Sequence, residues 1–407
     1  MRPDTKIIRT TCCIAGGGPA GMMLGMLLAR AGVEVIVLEK HGDFLRDFRG
    51  DTIHPSTLEL LHELGILEEF LRLPHQRMRQ LKVTINDAEV VALDFSRLST
   101  RCKYTALMPQ WDFLNFLAAQ AKRYANFQLL MNTEAIGPIE KSGRVVGVEA
   151  KTEQGDLNVY ADLVVGADGR YSILRERAGM EVEDVGVPID QLWFRVAKTA
   201  DDLEPFLIRI RNEKRLVMLD RGDYYQCGSI IRKGAYEEIK SRGLDAFRKE
   251  IVSVAPFLLG AIDEIDDWQK VKLLTVQVNR LRRWYRLGLL FIGDAAHAMS
   301  PVGGVGVNLA IQDAVASANL LADRLRKGNC EIDHLRRIQK RREWPARMIQ
   351  EIQVFIHRQT YKSKPNPESA SSLSWPVRSL LRLLTPLIRR AASRVCGIGF
   401  RAEHIRT

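Results

Sequence analysis

Only six cysteines (Cys12, Cys13, Cys102, Cys227, Cys330 and Cys396) are scattered through 407 residues, with no CxxC pair and no Cys/His metal spacing. This argues against a zinc site or a disulfide framework as the organising element. Reduced thiols, no metal and a cytoplasmic location are expected. No run of about 18 uncharged apolar residues occurs, so no transmembrane helix is expected. Met1 to Thr11 is mostly polar and charged, unlike a secretory signal.

Acidic side chains are short in one region only. From Glu331 to Thr407 there are 16 basic and 6 acidic residues, against 44 and 43 from Met1 to Cys330. The formal excess of +11 therefore sits almost wholly in the tail. A near-neutral body argues against a protein that tracks a nucleic-acid backbone. With 46% hydrophobic and 27% charged residues the composition is ordinary for a globular chain. Its length suggests two or three units of about 150 residues.

The N-terminal region carries a compact motif. Thr11-Cys12-Cys13-Ile14-Ala15 reads as a strand, and its adjacent cysteines would point to opposite faces. Gly16-Gly17-Gly18-Pro19-Ala20-Gly21 follows, then an apolar helix ending at the C-cap glycine Gly32. Val33–Glu39 is a second strand. Gly16 permits the tight turn, Gly18 lets backbone amides approach a pyrophosphate, and Gly21 lets the helix pack on the strand. The helix N-terminus offers free N–H groups and partial positive charge to phosphates. Glu39 closes the second strand and can accept ribose hydroxyls, which suits FAD or NAD and disfavours a 2′-phosphate.

Two later segments select between these cofactors. Leu163–Gly166 is a buried-type strand running into Ala167-Asp168-Gly169-Arg170-Tyr171-Ser172-Ile173-Leu174-Arg175. Leu289–Ile292 is another, running into Gly293-Asp294 and then the glycine run Gly303–Gly306 before an apolar helix. In order and spacing these segments resemble the class A flavoprotein monooxygenases, the para-hydroxybenzoate hydroxylase type, over about residues 8 to 330. The resemblance implies an α/β fold: a Rossmann-like FAD-binding domain with an inserted, mostly antiparallel β-sheet substrate domain and a helical C-terminal tail.

It also implies roles. Gly16, Gly18, Gly21 and Glu39 correspond to the first FAD fingerprint, and Pro19, Ala20 and Lys40 beside them are expected to bind the same cofactor. Arg49 corresponds to the arginine near pyrophosphate and flavin, and Gln110 to the glutamine that reaches the ribityl region. Asp168, Gly169, Ser172 and Arg175 match the segment tied to FAD and NAD(P)H. Gly293 and Asp294 match the segment whose aspartate contacts the ribityl chain. Gly304, Val305, Gly306, Val307 and Asn308 match the loop whose amides face the pyrimidine edge of the isoalloxazine. In this family NADPH or NADH binds transiently and reduces a tightly held, non-covalent FAD. O2 then adds at flavin C4a, and one oxygen goes to an electron-rich substrate. The absence of a second GxGxxG unit agrees with transient NAD(P)H binding.

The remaining segments suggest an interleaved organisation. The FAD-binding domain is expected at 1–80, 106–180 and 279–330. The substrate domain takes a hairpin at 81–105 and the strand-rich 181–278, and the helical basic region is 331–407. Trp193, Arg195, Tyr224, Tyr225 and Gln226, with Pro301 at the glycine loop, are candidates to line the substrate pocket. No catalytic base is nominated. The expected reaction is hydroxylation of an aromatic or polyketide-like small molecule. Halogenation, epoxidation or isoprenoid reduction on the same scaffold is the alternative, weakened by the missing GWxWxIP segment. A non-catalytic binding protein of related fold comes third. In the tail, 377–395 forms an apolar stripe bordered by arginines. That stripe can dock on the body or touch a membrane surface. Pro386 is expected to kink or split it.

Overall fold

The computed structural model describes residues 5–45, 52–198, 206–362 and 375–406, those between 360 and 385 for the backbone only. Five strands form a parallel core in the spatial order Phe127–Leu130, Val35–Leu38, Lys6–Ala15, Gly155–Gly166, Leu289–Phe291. Val35–Leu38, Leu289–Phe291 and the last four residues of Lys6–Ala15 are short runs buried on both faces, as parallel strands covered by helices must be. Cys12 packs into the core on one side of this sheet and Cys13 into the core on the other. All six cysteines are free thiols.

The register fixes where a ligand can sit. Leu38, Ala15, Gly166 and Phe291 are successive partners across the sheet, so four carboxyl ends finish in one row. Gly16, Glu39, Ala167-Asp168 and Ile292–Asp294 leave from that row. Open parallel sheets bind ligands in the crevice outside such ends.

A second sheet has seven strands, in the order Lys272–Leu274, Ile189–Ala197, Tyr224–Arg232, Lys214–Asp220, Phe206–Arg211, Gln80–Ile85, Ala88–Asp94. The early hairpin thus joins the later strands, through one parallel pair between Phe206–Arg211 and Gln80–Ile85. All its other pairs are antiparallel. The helix Leu244–Val254 buries Phe247, Ile251 and Val254 against one face of this sheet.

Three helices complete the chain. Gly306–Arg326 is long and apolar enough to cross a membrane, yet 78% of its apolar stretch is buried inside the protein, as a core helix. Ile332–Lys362 contains Pro345. Trp375–Gly397 continues through Pro386 instead of splitting there. Its last turns dock on the body: Ser393 Oγ accepts from Asp94 N at 2.8 Å, and Gly397 sits so close to Phe95 and Leu98 that a Cβ would meet Leu98 at 2.7 Å. Leu387 and Ile388 remain exposed. Lys362 to Ser374, whose Pro/Ser-rich sequence reads as a linker, lies outside the described residues apart from Lys362.

Candidate functional site

The glycine turn separates two kinds of glycine. Gly16 has φ +108°, and a Cβ there would stand 2.4 Å from Ala167 O. A Cβ on Gly21 would stand 2.0 Å from Gly16 O. Both positions are glycine for the protein's own packing. At Gly18 a Cβ would meet nothing within 4 Å. None of the described residues demands glycine there, which leaves room for a group outside the protein. Pro19 starts the helix Pro19–Arg30, which has no side-chain cap and no acid in its first turn. The N–H groups of Ala20 and Gly21 are therefore left to an external acceptor. Glu39 is 9% exposed; its Oε2 accepts from Gly17 N at 3.0 Å and its Oε1 from His41 N at 3.1 Å. Its carboxylate is held beside the turn, while Lys40 is exposed.

The Gly293-Asp294 turn lies against the same helix start. Gly293 has φ +59°, and a Cβ there would touch Ala20 Cβ at 3.1 Å and Ala310 Cβ at 3.3 Å. Asp294 is partly open and pairs with Arg170 Nη2 at 3.2 Å. Arg170 Nη1 and Asp168 Oδ1 are buried and have no hydrogen-bond partner among the described residues. Burial pushes the Asp168 carboxyl up, although Ser172 and Leu174 N donate to it. Gly169 turns the chain at φ +86°. Arg175 spends its donors inside the protein, on Arg170 O at 2.8 Å, Ala295 O at 3.2 Å and Asn279 Oδ1 at 3.4 Å. It straps the Asp168 segment to the Gly293 turn.

The glycine loop is braced from below. Thr52 Oγ1 donates to Gly304 O at 2.9 Å, and a Cβ on Gly304 would stand 2.4 Å from that hydroxyl. Asn308 is a strut: Oδ1 accepts from His54 N at 2.9 Å and Thr57 Oγ1 at 2.7 Å, and Nδ2 donates to Thr52 O and Gly304 O at 3.4 Å each. The helix Gly306–Arg326 opens without a side-chain cap or an acid after Val305, so the amides of Gly306, Val307 and Asn308 are unclaimed by the helix. Gln110 is the first residue of the helix Gln110–Ala121. Arg49 lies outside the described residues.

Two histidines secure this loop from behind. His54 Nδ1–H donates to Cys396 O at 2.7 Å, and His357 Nε2 meets Ser300 Oγ at 2.7 Å. Burial lowers each from 6.5 to about 4; the Arg215 charge adds to this at His357. Between these values the unfolded chain binds protons that the folded chain refuses. Stability is then complete above about pH 6.5 and falls as pH drops towards about pH 4. Urea unfolding at about pH 7.5 and about pH 5 is expected to show a lower midpoint in acid; equal midpoints would contradict the burial argument.

The pocket candidates divide by strand face. Trp193, Arg195, Tyr224 and Gln226 share one face by register, with Arg195 Cζ 4.0 Å from the Tyr224 ring centre. Gln226 accepts from Arg221 at 3.2 Å, and the Arg221 charge also acts on Asp112 beside Gln110. Tyr225 departs from the expectation. Strand alternation turns it to the opposite face, where it is 1% exposed in the core with Phe194 and Phe247. Pro301 is exposed at the start of the glycine loop. Among the described residues no three His, Cys, Asp or Glu side chains gather as a metal site. Sequence reasoning missed Arg170, a variable position in its motif, and Thr52, Asp313 and Arg342, which only the packing brings to the site.

The space at Gly18, two uncapped helix starts and the unsatisfied Asp168 and Arg170 atoms fit a phosphate-bearing, polyhydroxylated cofactor. Comparison with known proteins names that cofactor. The FAD binding domain family model matches residues 9–351. The 6-methylpretetramide 4-monooxygenase of Streptomyces rimosus is 30% identical over 396 residues, 97% of this chain and 94% of that protein. Other curated relatives are longer: the chain spans 59% of one and 61% of another. Among solved structures, OxyS anhydrotetracycline hydroxylase from Streptomyces rimosus aligns with TM-score 0.74 at 22% identity, over 96% of this chain and 76% of that one. The myxobacterial chondrochloren halogenase CndH aligns with TM-score 0.75 at 18% identity, over 98% and 94%. The two structures share the fold, and the family match and the first relative go further: the chain belongs to the FAD binding domain family of class A flavoprotein monooxygenases, enzymes that use FAD with NAD(P)H.

Proposed function

We propose that this monooxygenase hydroxylates a polycyclic aromatic polyketide held between the glycine loop and the Arg195 and Tyr224 face of the seven-stranded sheet. The observation that carries the substrate class is the near full-length likeness to a 6-methylpretetramide monooxygenase. In this reading residues 81–105 and 181–278 form the substrate domain, and Trp193, Arg195, Tyr224 and Gln226 face the ligand with Pro301 at the rim. When bound, FAD supplies the transfer of electrons from NAD(P)H to O2. The protein supplies position and electrostatics. Ala20 and Gly21 amides hold the pyrophosphate, Glu39 the adenosine ribose and Asp294 the ribityl hydroxyls. The Gly306, Val307 and Asn308 amides would face the flavin's pyrimidine edge, where negative charge grows on reduction, while the Gly304 amide donates to Pro301 O at 3.0 Å. Gln110, Asp168, Gly169 and Lys40 line the remainder of the cofactor site, with Arg175 bracing it.

NADPH oxidation by the FAD-loaded protein, with 6-methylpretetramide as probe, tests this reading. The probe is expected to accelerate oxidation. An unchanged rate with this compound and with simpler polycyclic phenols would remove the substrate class. Asp294→Ala is expected to reduce the flavin retained on purification several-fold, read from absorbance; full occupancy would remove the ribityl assignment. The halogenating alternative rests on shared fold alone, and a chlorinated product from a chloride-containing reaction would favour it.

A second reading concerns the tail. Leu387 and Ile388 are exposed beside Arg389 and Arg390, an arrangement suited to an anionic membrane surface. Sedimentation with phosphatidylserine-containing liposomes is expected to weaken when Leu387 and Ile388 are both replaced by Ser. Equal pelleting would end that idea.

A further inference from the structure

The end of the chain closes onto the body through buried charge. Glu403, 2% exposed, accepts from Arg341 Nε and Nη2 at 2.7 Å each and lies 3.5 Å from Arg342 Nη1. Around it Glu403 N donates to Gln312 Oε1, Ile405 N to Glu63 Oε2, Arg406 N to Asn319 Oδ1 and Arg342 Nη1 to Arg401 O. Arg342 is 1% exposed and reaches the other way, donating Nε to Asp313 Oδ1 at 2.9 Å. Asp313 Oδ2 then takes the backbone N–H of Gly293 at 3.1 Å and His297 Nε2 at 2.6 Å. One line of contacts therefore runs from Glu403 to the residue that precedes Asp294.

The geometry leaves little slack along that line. Asp313 is fully buried and holds the Gly293 turn with the same carboxylate that balances Arg342. With Glu403 in place, Arg342 is shared between two carboxylates. With that charge removed, Asp313 becomes the sole anion beside a buried guanidinium, which must re-centre on it. The carboxylate can follow only by shifting its bond to Gly293 N. A Cβ on Gly293 would meet Ala20 and Ala310, so the turn is closely packed against both helices that flank it. Glu403 lies beyond the family-matched residues 9–351, so the tail contributes this support from outside that segment.

We propose that Glu403 is a positioning residue for the flavin site. The docked C-terminal segment, acting through Arg342 and Asp313, holds the Gly293-Asp294 turn in the geometry that receives the cofactor. This rests on the reading of Asp294 as a flavin contact. The test is FAD titration of apo-protein for the full-length wild type, Glu403→Gln, Glu403→Asp and Asp294→Ala, read by flavin fluorescence and visible circular dichroism. Urea unfolding of each protein is followed with and without saturating FAD. Glu403→Gln is expected to raise the FAD Kd roughly tenfold, within the range for coupled sites, and to alter the flavin dichroism, with Glu403→Asp restoring part of the affinity. A purely structural role would lower the stability of apo- and FAD-bound protein equally and leave Kd unchanged; that result overturns the proposal. Where Glu403→Gln does not stay folded, Arg341→Met loosens Glu403 from its half-exposed side, and an unchanged Kd in that variant overturns it equally. An effect in Asp294→Ala without one at Glu403 removes the tail's role alone. No effect in Asp294→Ala removes the flavin contact on which it rests.

Discussion

Arg342→Met is expected to cost roughly 3–5 kcal/mol of folding stability, the range for breaking one partner out of a buried ion pair. Methionine fills most of the space and leaves the Asp313 and Glu403 carboxylates behind. Asp313 retains His297 Nε2 and Gly293 N, and burial opposes its charge while His297 and Arg342 hold its carboxyl below the usual range. Without the guanidinium one of the two groups that hold that charge is lost. Asp313 then takes up a proton more readily, and the loss is largest where the carboxylate is otherwise ionised. Arg282 is the control. Its pair with Glu181 at 3.3 Å has both side chains about 70% exposed, so Arg282→Met is expected to cost less than about 1 kcal/mol. Urea unfolding of both variants near neutral pH separates them. Similar small losses would mean that the buried network is not what holds the tail and the two long helices together.

Gly18→Val is expected to do the reverse, sparing the fold while removing the cofactor. A Cβ at Gly18 meets no protein atom within 4 Å, and the residue has φ −72°, which valine can adopt. The apo-protein should therefore unfold within about 0.5 kcal/mol of the wild type, as for substitutions that disturb no packing. The added methyls occupy the place where the pyrophosphate must approach the amides of Ala20 and Gly21. Overpacking of that kind costs about 1–3 kcal/mol, which corresponds to roughly a 5- to 150-fold weaker FAD Kd. Gly16→Val makes the contrast, since it strikes Ala167 O and has φ +108°, so it should fail to fold properly with or without FAD. Unaltered FAD affinity in Gly18→Val would mean that the phosphates lie elsewhere.

The sequence made the cofactor half of this molecule legible because each motif there is local. A strand, a tight turn and a helix start lie within a few residues; glycine at Gly16 and Gly21 answers to backbone oxygens that no side chain could survive, and Gly293 and Gly304 are crowded by the side chains of Ala20, Ala310 and Thr52. The same locality explains why the hairpin at 80–94 could be read as strands but not placed beside Phe206–Arg211. Parallel pairing across more than a hundred residues leaves no short-range mark. Alternation in Tyr224–Arg232 puts Tyr225 with the core and Tyr224 on the Arg195 face, yet the run Tyr-Tyr-Gln gives both tyrosines the same appearance in one dimension. The second support of the site was least visible. Asp313, Arg342 and Glu403 are single charged residues on separate helical and terminal segments, ordinary surface residues by composition. Only the fold shows that they meet with almost no exposure. The basic tail changes meaning accordingly. Two of its arginines, Arg341 and Arg342, are internal counter-charges to Glu403 and Asp313.

The central claim is that this chain inserts one oxygen atom from O2 into an aromatic polyketide, with FAD reduced by NAD(P)H. The most direct measurement is product mass after turnover of 6-methylpretetramide by the FAD-loaded protein with NADPH under isotope-labelled O2. The account predicts one labelled oxygen in the product and O2 consumption that matches product formed. A product that carries no label, or substrate turnover without O2 uptake, would contradict it.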